Sequence, residues 1–223
     1  MKYDIMAFML SCLMILIYYL YLAGRTRRAP DSSVHSLNYK VRERWVEMIM
    51  NSDKMDVLAV QTLRNSVMAA NFMASTAILL IIGTFNISER IGQWMLTWHL
   101  NSVSENFSTE LWQIKLCLLM LNFSIAFYCF SMAIRFFNHV GYMINLPVDK
   151  ANDDCLYKQT CVYLNRAGGY YSYGTRTFFF SLPLIMWFFG PYFLVLATLG
   201  LLLGLARLDK VPNWALSTKS PKS

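Results

Sequence analysis

Apolar residues fall into four long runs, Ile5 to Ala23, Val67 to Phe85, Leu116 to Phe137 and Phe178 to Ala206. Each is long enough for a helix to cross the hydrocarbon core of a bilayer, which takes about 20 residues. The pattern predicts an all-α integral membrane bundle of four transmembrane helices, with spans at about 5–23, 67–85, 116–137 and 178–206. These spans form a single membrane domain, 1–209, followed by a polar tail, 210–223. In a bilayer every backbone polar group must pair internally, and an ionisable group at depth needs a partner or a task. No Asp or Glu lies within the four runs, which disfavours proton pumping through buried carboxylates.

The segments between the runs carry weaker patterns. From Asn38 to Met50, apolar Val41, Trp45, Met48 and Ile49 alternate at helical spacing with Lys40, Arg42, Glu43, Arg44 and Glu47. This predicts an amphipathic cytoplasmic-side helix, lying on the membrane surface or along the bundle. Asp53 is a plausible N-cap for a helix that begins before the second span. Ser88 can cap a short helix holding Ile91, Trp94, Met95 and Trp98, a pair of Trp suited to the membrane interface. Asn86-Ile87-Ser88 and Asn106-Phe107-Ser108 match glycosylation sequons. Asp149 can cap another helix through about Leu164, after which Gly168, Gly169 and Gly174 interrupt an aromatic stretch. Pro183 and Gly190-Pro191 invite kinks in the fourth span.

Charge orients this arrangement. The 223 residues are 56% hydrophobic and only 15% charged, with a net charge of +7. The basic residues gather beside the apolar runs rather than in an aromatic-interleaved strip, so the charge speaks for membrane topology and against nucleic acid. With four spans, the first and third loops and their flanking helix ends hold thirteen Lys and Arg, and the other side holds seven. This places those loops in the cytoplasm of a multi-pass cell-membrane protein, with both termini outside. The cluster Arg25-Thr26-Arg27-Arg28 after the first run reads as a stop signal, so that run is a retained anchor and not a cleaved leader. Cys12, Cys117, Cys129, Cys155 and Cys161 read as small buried hydrophobes, and the last two lie on the reducing side.

Candidate chemistry lies in polar stripes beside the spans. Arg64, Arg135 and Arg176 flank three spans near the inferred cytoplasmic surface. At about 100° per residue, Gln61, Arg64, Asn65, Asn71 and Ser75 share roughly a third of one helix circumference. Ser124, Tyr128, Ser131, Arg135, Asn138 and His139 do the same on the next span. Such stripes normally face the bundle interior. The resulting expectation is an Arg-lined polar pocket open to the cytoplasm, built from Arg64, Asn65, Asn71, Arg135, Asn138, His139 and Arg176. Guanidinium groups suit phosphate or carboxylate, so the ligand would be an anionic lipid headgroup, a small anion or an acidic partner segment. The competing account has each Arg snorkelling to the interface to fix helix depth. No His pair has i,i+4 spacing and no carboxylate accompanies one on a helix, so no metal site is expected. The fourteen methionines fill gaps between helices. Hydrolase, zinc-protease and phosphate-loop motifs are absent, so no catalytic residue is assigned and no cofactor is implied.

Three stretches carry a family likeness. They are Asn71-Phe72-Met73-Ala74-Ser75-Thr76, then Phe130-Ser131-Met132-Ala133-Ile134-Arg135-Phe136-Phe137-Asn138, then Gly174-Thr175-Arg176-Thr177-Phe178-Phe179-Phe180 leading to Trp187-Phe188-Phe189-Gly190-Pro191. In order and spacing the chain resembles the membrane family labelled domain of unknown function 599, from about Asp4 to Asp209. The resemblance implies four spans and no established activity, and it marks Arg135, Asn138 and Arg176. Here His139 stands where relatives are expected to carry Tyr, and Phe178-Phe179 where tyrosines are common. Three functional readings follow. The first is a non-enzymatic component that binds lipid or a membrane-protein partner, a second copy included. The second is an oligomeric carrier or channel for a small anion. The third is an enzyme acting on lipid or quinone through His139.

Overall fold

The apolar runs become helices, and six of them make up most of the chain. The computed structural model describes residues 2–28, 34–51, 56–98, 109–146 and 153–209. The helices are α1 (Lys2–Arg28), α2 (Val34–Met50), α3 (Asp56–Trp98), α4 (Thr109–Ile144), α5 (Asp153–Met186) and α6 (Pro191–Leu208). A single 3₁₀ turn at Trp187–Phe189 precedes α6. No strand occurs among the described residues. Four segments are long and apolar enough to cross a membrane: Lys2–Gly24, Val57–Ile87, Glu110–Ile144 and Pro191–Leu208. The chain is therefore a multi-pass membrane protein with a helical-bundle fold.

Two expected interruptions do not occur. The short helix placed near Ser88 to Trp98 is the continuation of α3. The glycines at 168, 169 and 174 leave α5 unbroken. At Gly174 the reason is packing. A Cβ there would stand 3.0 Å from Phe130 Cε1 and 3.1 Å from Cys129 Cβ, so the glycine lets α4 close on α5. The first sequon asparagine, Asn86, lies on α3, and its residue is exposed. The second sequon, at 106, and the caps expected at 53 and 149 lie outside the described residues, as does the tail from 210.

The last apolar run, expected as one span over 178–206, is divided between two helices. Helix α5 continues through Pro183 to Met186, the turn follows, and Gly190 adopts φ 145° and ψ 162° before Pro191 opens α6. That backbone region is almost confined to glycine, and proline suits the first turn of a helix. The chain then doubles back. Phe179, Leu182 and Met186 of α5 share an apolar groove of about 480 Å³ with Gly200, Gly204 and Leu208 of α6. Arg176 on α5 reaches Asp209 just beyond α6. The segment is thus an antiparallel hairpin.

Packing proceeds in three layers along the bundle. At one end Ala7 of α1, Trp187 and Leu194 of α6 form a cluster edged by Phe8, Leu118 and Leu184. In the middle Ala74, Ala126 and Phe130 join α3 to α4, with Tyr171 and Phe178 against them. At the other end Val46 and Ile49 of α2 bury against Ala59, Leu63, Phe137, Val140, Cys161 and Leu164. Of the two positions expected for the amphipathic helix, α2 takes the one along the bundle. Helix α1 packs chiefly on α6 and runs parallel to it: Ala7 meets Leu194, and Tyr18 meets Asp209. Lys2 consequently lies at the end of the Ala7–Trp187 layer, and Asp209, on Arg176 between Tyr171 and Phe178, lies level with the middle layer.

Candidate functional site

Two polar knots fasten the thin α1–α6 side of the bundle. At the first, Lys115 of α4 is almost wholly buried and donates to Asp4 Oδ1 of α1 at 3.2 Å and to the Trp187 carbonyl at 3.0 Å. The Trp187 indole N–H also donates to Asp4 at 3.3 Å, and the Lys115 ammonium lies 4.9 Å from the centre of its ring. Phe8 stacks on the same indole. A buried ammonium is tolerated because its charge is matched and its protons are shared. At the second knot, Arg176 donates to Asp209 Oδ1 and Tyr18 donates to Asp209 Oδ2, each at 2.5 Å. Fourteen residues of α1, about 21 Å of helical rise, separate Asp4 from Tyr18.

The seven residues expected to line one pocket are distributed differently. Arg176 is half-buried and engaged in the second knot. Arg64, Asn65 and Asn71 are exposed on α3, and Arg135, Asn138 and His139 are exposed on α4. The His139 ring meets Tyr163 of α5 edge-on at 5.8 Å. The faces that bury are instead the small and apolar ones: Ala59, Leu63, Ala70 and Ala74 on α3, and Ala126, Phe130, Ala133, Phe137 and Val140 on α4. Ser124 and Tyr128 are exposed on the outer side of α4, Ser131 is partly exposed there, and the Ser124 hydroxyl donates to the Met120 carbonyl of its own helix. Within one chain, then, the polar stripes form an outer surface, and Arg176 stands apart from them on a knot with Asp209.

Sequence reasoning passed over Asp4, Lys115 and Asp209. Asp4 precedes the first apolar run by one residue, and Lys115 precedes the third by one. Their adjacency to apolar starts on two helices that begin on the same side was the available signal. For Asp209 there was none while 178–206 read as one span. Thirty-three residues of straight helix would hold Arg176 and Asp209 about 50 Å apart. Among the described residues no three His, Cys, Asp or Glu side chains come together as a metal site would require.

A sequence profile of the family described as Protein of unknown function, DUF599, matches residues 6–213. The chain belongs to the DUF599 family. The match spans all six helices apart from the first residues of α1, so the hairpin at Gly190 and both knots' basic members fall within this DUF599 chain's matched region. No curated protein and no solved structure matches it. The family's description names no activity, and the bundle rests on the structure of this chain.

Proposed function

We propose that this DUF599 chain is a non-enzymatic membrane component that works by holding another membrane protein against the outer face of α3 and α4. The observation that carries this reading is the row Ser124, Tyr128, Arg135 and Asn138, exposed on α4 with Ser131 partly so, together with Arg64, Asn65, Asn71 and Ser75, exposed on α3. A lipid-facing helix surface is ordinarily apolar, and polar groups at depth are normally covered by other helices. Small and hydroxylated side chains also allow close helix approach and bonds between helices. Among the described residues neither Arg135 nor Asn138 has a hydrogen-bond or ion-pair partner. A second copy fits such a row, because arginine donors and tyrosine, serine and asparagine acceptors on one face complement themselves about a two-fold axis.

The test is cross-linking in membranes. Ser124→Cys and Ser131→Cys, each in a background lacking other cysteines, are expected to give an oxidised dimer, whereas Leu10→Cys on the lipid-facing side of α1 is not. A strict monomer without companions in a native mass spectrum, together with no cross-link at either serine position, would reject the reading.

Orientation follows from the same geometry. With α5 and α6 both crossing, Arg207 and, by their place in the sequence, the tail lysines count with the side that carries α2 and the start of α5. Seventeen of the twenty Lys and Arg then belong to one side, against thirteen when the last run is one span. The sharper asymmetry supports a cell-membrane protein with its amino end outside and its carboxyl end in the cytoplasm.

A further inference from the structure

The corner where α2 crosses α5 holds two polar groups that no described residue matches. On α5, Gly168 is buried, and the Arg42 guanidinium of α2 lies over it. A Cβ at Gly168 would collide with Arg42 Cζ and with both terminal nitrogens, Nη1 and Nη2. Only the missing side chain admits the guanidinium there. Burial pushes the Arg42 guanidinium below its ordinary range, and no carboxylate offsets that effect. Among the described residues Arg42 has no ion-pair or hydrogen-bond partner. The acids on α2 are engaged elsewhere: Glu43 accepts from Tyr39, and Glu43 and Glu47 both act on Cys161 and Tyr157, about two and three turns nearer the start of α5.

One turn before Gly168 stands Asn165. Its amide nitrogen and oxygen are both shielded from solvent, and among the described residues neither has a hydrogen-bond partner. Side chains three apart on a helix have Cβ atoms about 5–6 Å from each other. Because the guanidinium occupies the place of a Gly168 Cβ, it lies about that far from the Asn165 Cβ. One bound oxyanion can span that interval. A cation without an anion and an amide without donor or acceptor are each costly when dry.

We propose that Arg42 and Asn165 bind a phosphate group carrying a neighbouring O–H donor. The guanidinium supplies two parallel N–H donors to phosphate oxygens, the Asn165 amide supplies a third, and its carbonyl accepts from the ligand hydroxyl. Hydrogen phosphate has this chemistry, and so does a glycerol-type phosphodiester headgroup of an anionic lipid. The site differs from the α3–α4 surface in helices and in residues, so failure of one leaves the other standing.

The experiment uses the full chain purified in mild detergent and probed by native mass spectrometry with phosphatidylglycerol in one arm and inorganic phosphate in the other. Each bound species is titrated. Arg42→Gln and Asn165→Leu are each expected to weaken binding about tenfold, the loss expected for a charge-assisted bond. Arg44→Gln, exposed on the same helix, is expected to leave it unchanged. Gly168→Ala, which displaces the guanidinium, is expected to act like Arg42→Gln. Melting temperature without ligand separates binding from a structural role. Asn165→Leu removes an unmatched amide, so it is expected to melt higher than the parent while binding less. Lipid binding alone identifies a headgroup site, and phosphate binding identifies a soluble ligand. Binding of neither, or binding that survives both Arg42→Gln and Asn165→Leu, overturns the proposal.

Discussion

At Asp209 one carboxylate receives a guanidinium from α5 and a phenol from α1. Three helices meet through a side chain of two oxygens, so its removal strands two donors. Asp209→Asn is expected to destabilise the protein by about 2 kcal/mol, below the range for a fully buried pair because both side chains keep some solvent contact. A thermal melt in detergent measures it. In a double-mutant cycle with Arg176→Met, the two changes should be less than additive, with a coupling of about 1 kcal/mol. Additive losses would mean that the two groups do not depend on one another. Arg176 was legible in the sequence, as a cation beside an apolar run. Its partner was not, because the contact depends on a chain reversal at Gly190, between the two. Arg135 and Asn138 were equally legible as a stripe. Helical periodicity shows which residues share a face, but α4 has two faces, and only the packing of Phe130, Ala133 and Phe137 decided which was inside.

Among elements, the helices themselves were readable and their breaks were not. Runs of apolar residues longer than a bilayer's thickness leave little alternative to helix. Yet the chain offered several candidate breaks, and α5 passes through Gly168, Gly169, Gly174 and Pro183 before yielding at Gly190. Glycine in a helix costs about 1 kcal/mol relative to alanine, and tight contact with a neighbouring helix can offset that. The neighbours are Arg42 at Gly168, and Phe130 and Cys129 at Gly174. At Gly190 the backbone itself is extreme, and Gly190→Ala is expected to cost about 1–3 kcal/mol in the same melt. The nearest atom to the added Cβ would be Phe193 Cδ2 at an ordinary 3.6 Å, so the loss would come from φ and not from crowding. A melt unchanged by Gly190→Ala would show that the turn relaxes without penalty.

For the whole molecule, the proposed orientation has α5 cross beside α6, which makes five crossings and puts the two ends on opposite sides. In sealed vesicles of known sidedness, an impermeant maleimide is expected to label Lys2→Cys from outside. It should reach Ser217→Cys only after permeabilisation, each variant being built without other cysteines. Labelling of both from outside would restore a single crossing for the last apolar run. The apolar runs pointed to the bilayer and the α class, and the placing of Lys and Arg to an expected basic side. The number of crossings required knowing whether the last apolar run forms one tilted helix or two short arms, and hydropathy does not distinguish these.

The parallel contact of α1 with α6 also bears on how the protein is made. Helix α1 is made well before α6, its principal neighbour. Asp4 meets Lys115 early and Trp187 later, whereas the hydroxyl of Tyr18 waits for Asp209 to be synthesised. A chain stopped before Pro191 would hold α1 through Asp4, on Lys115 and Trp187, and synthesis through α6 becomes a condition for seating the rest of that helix.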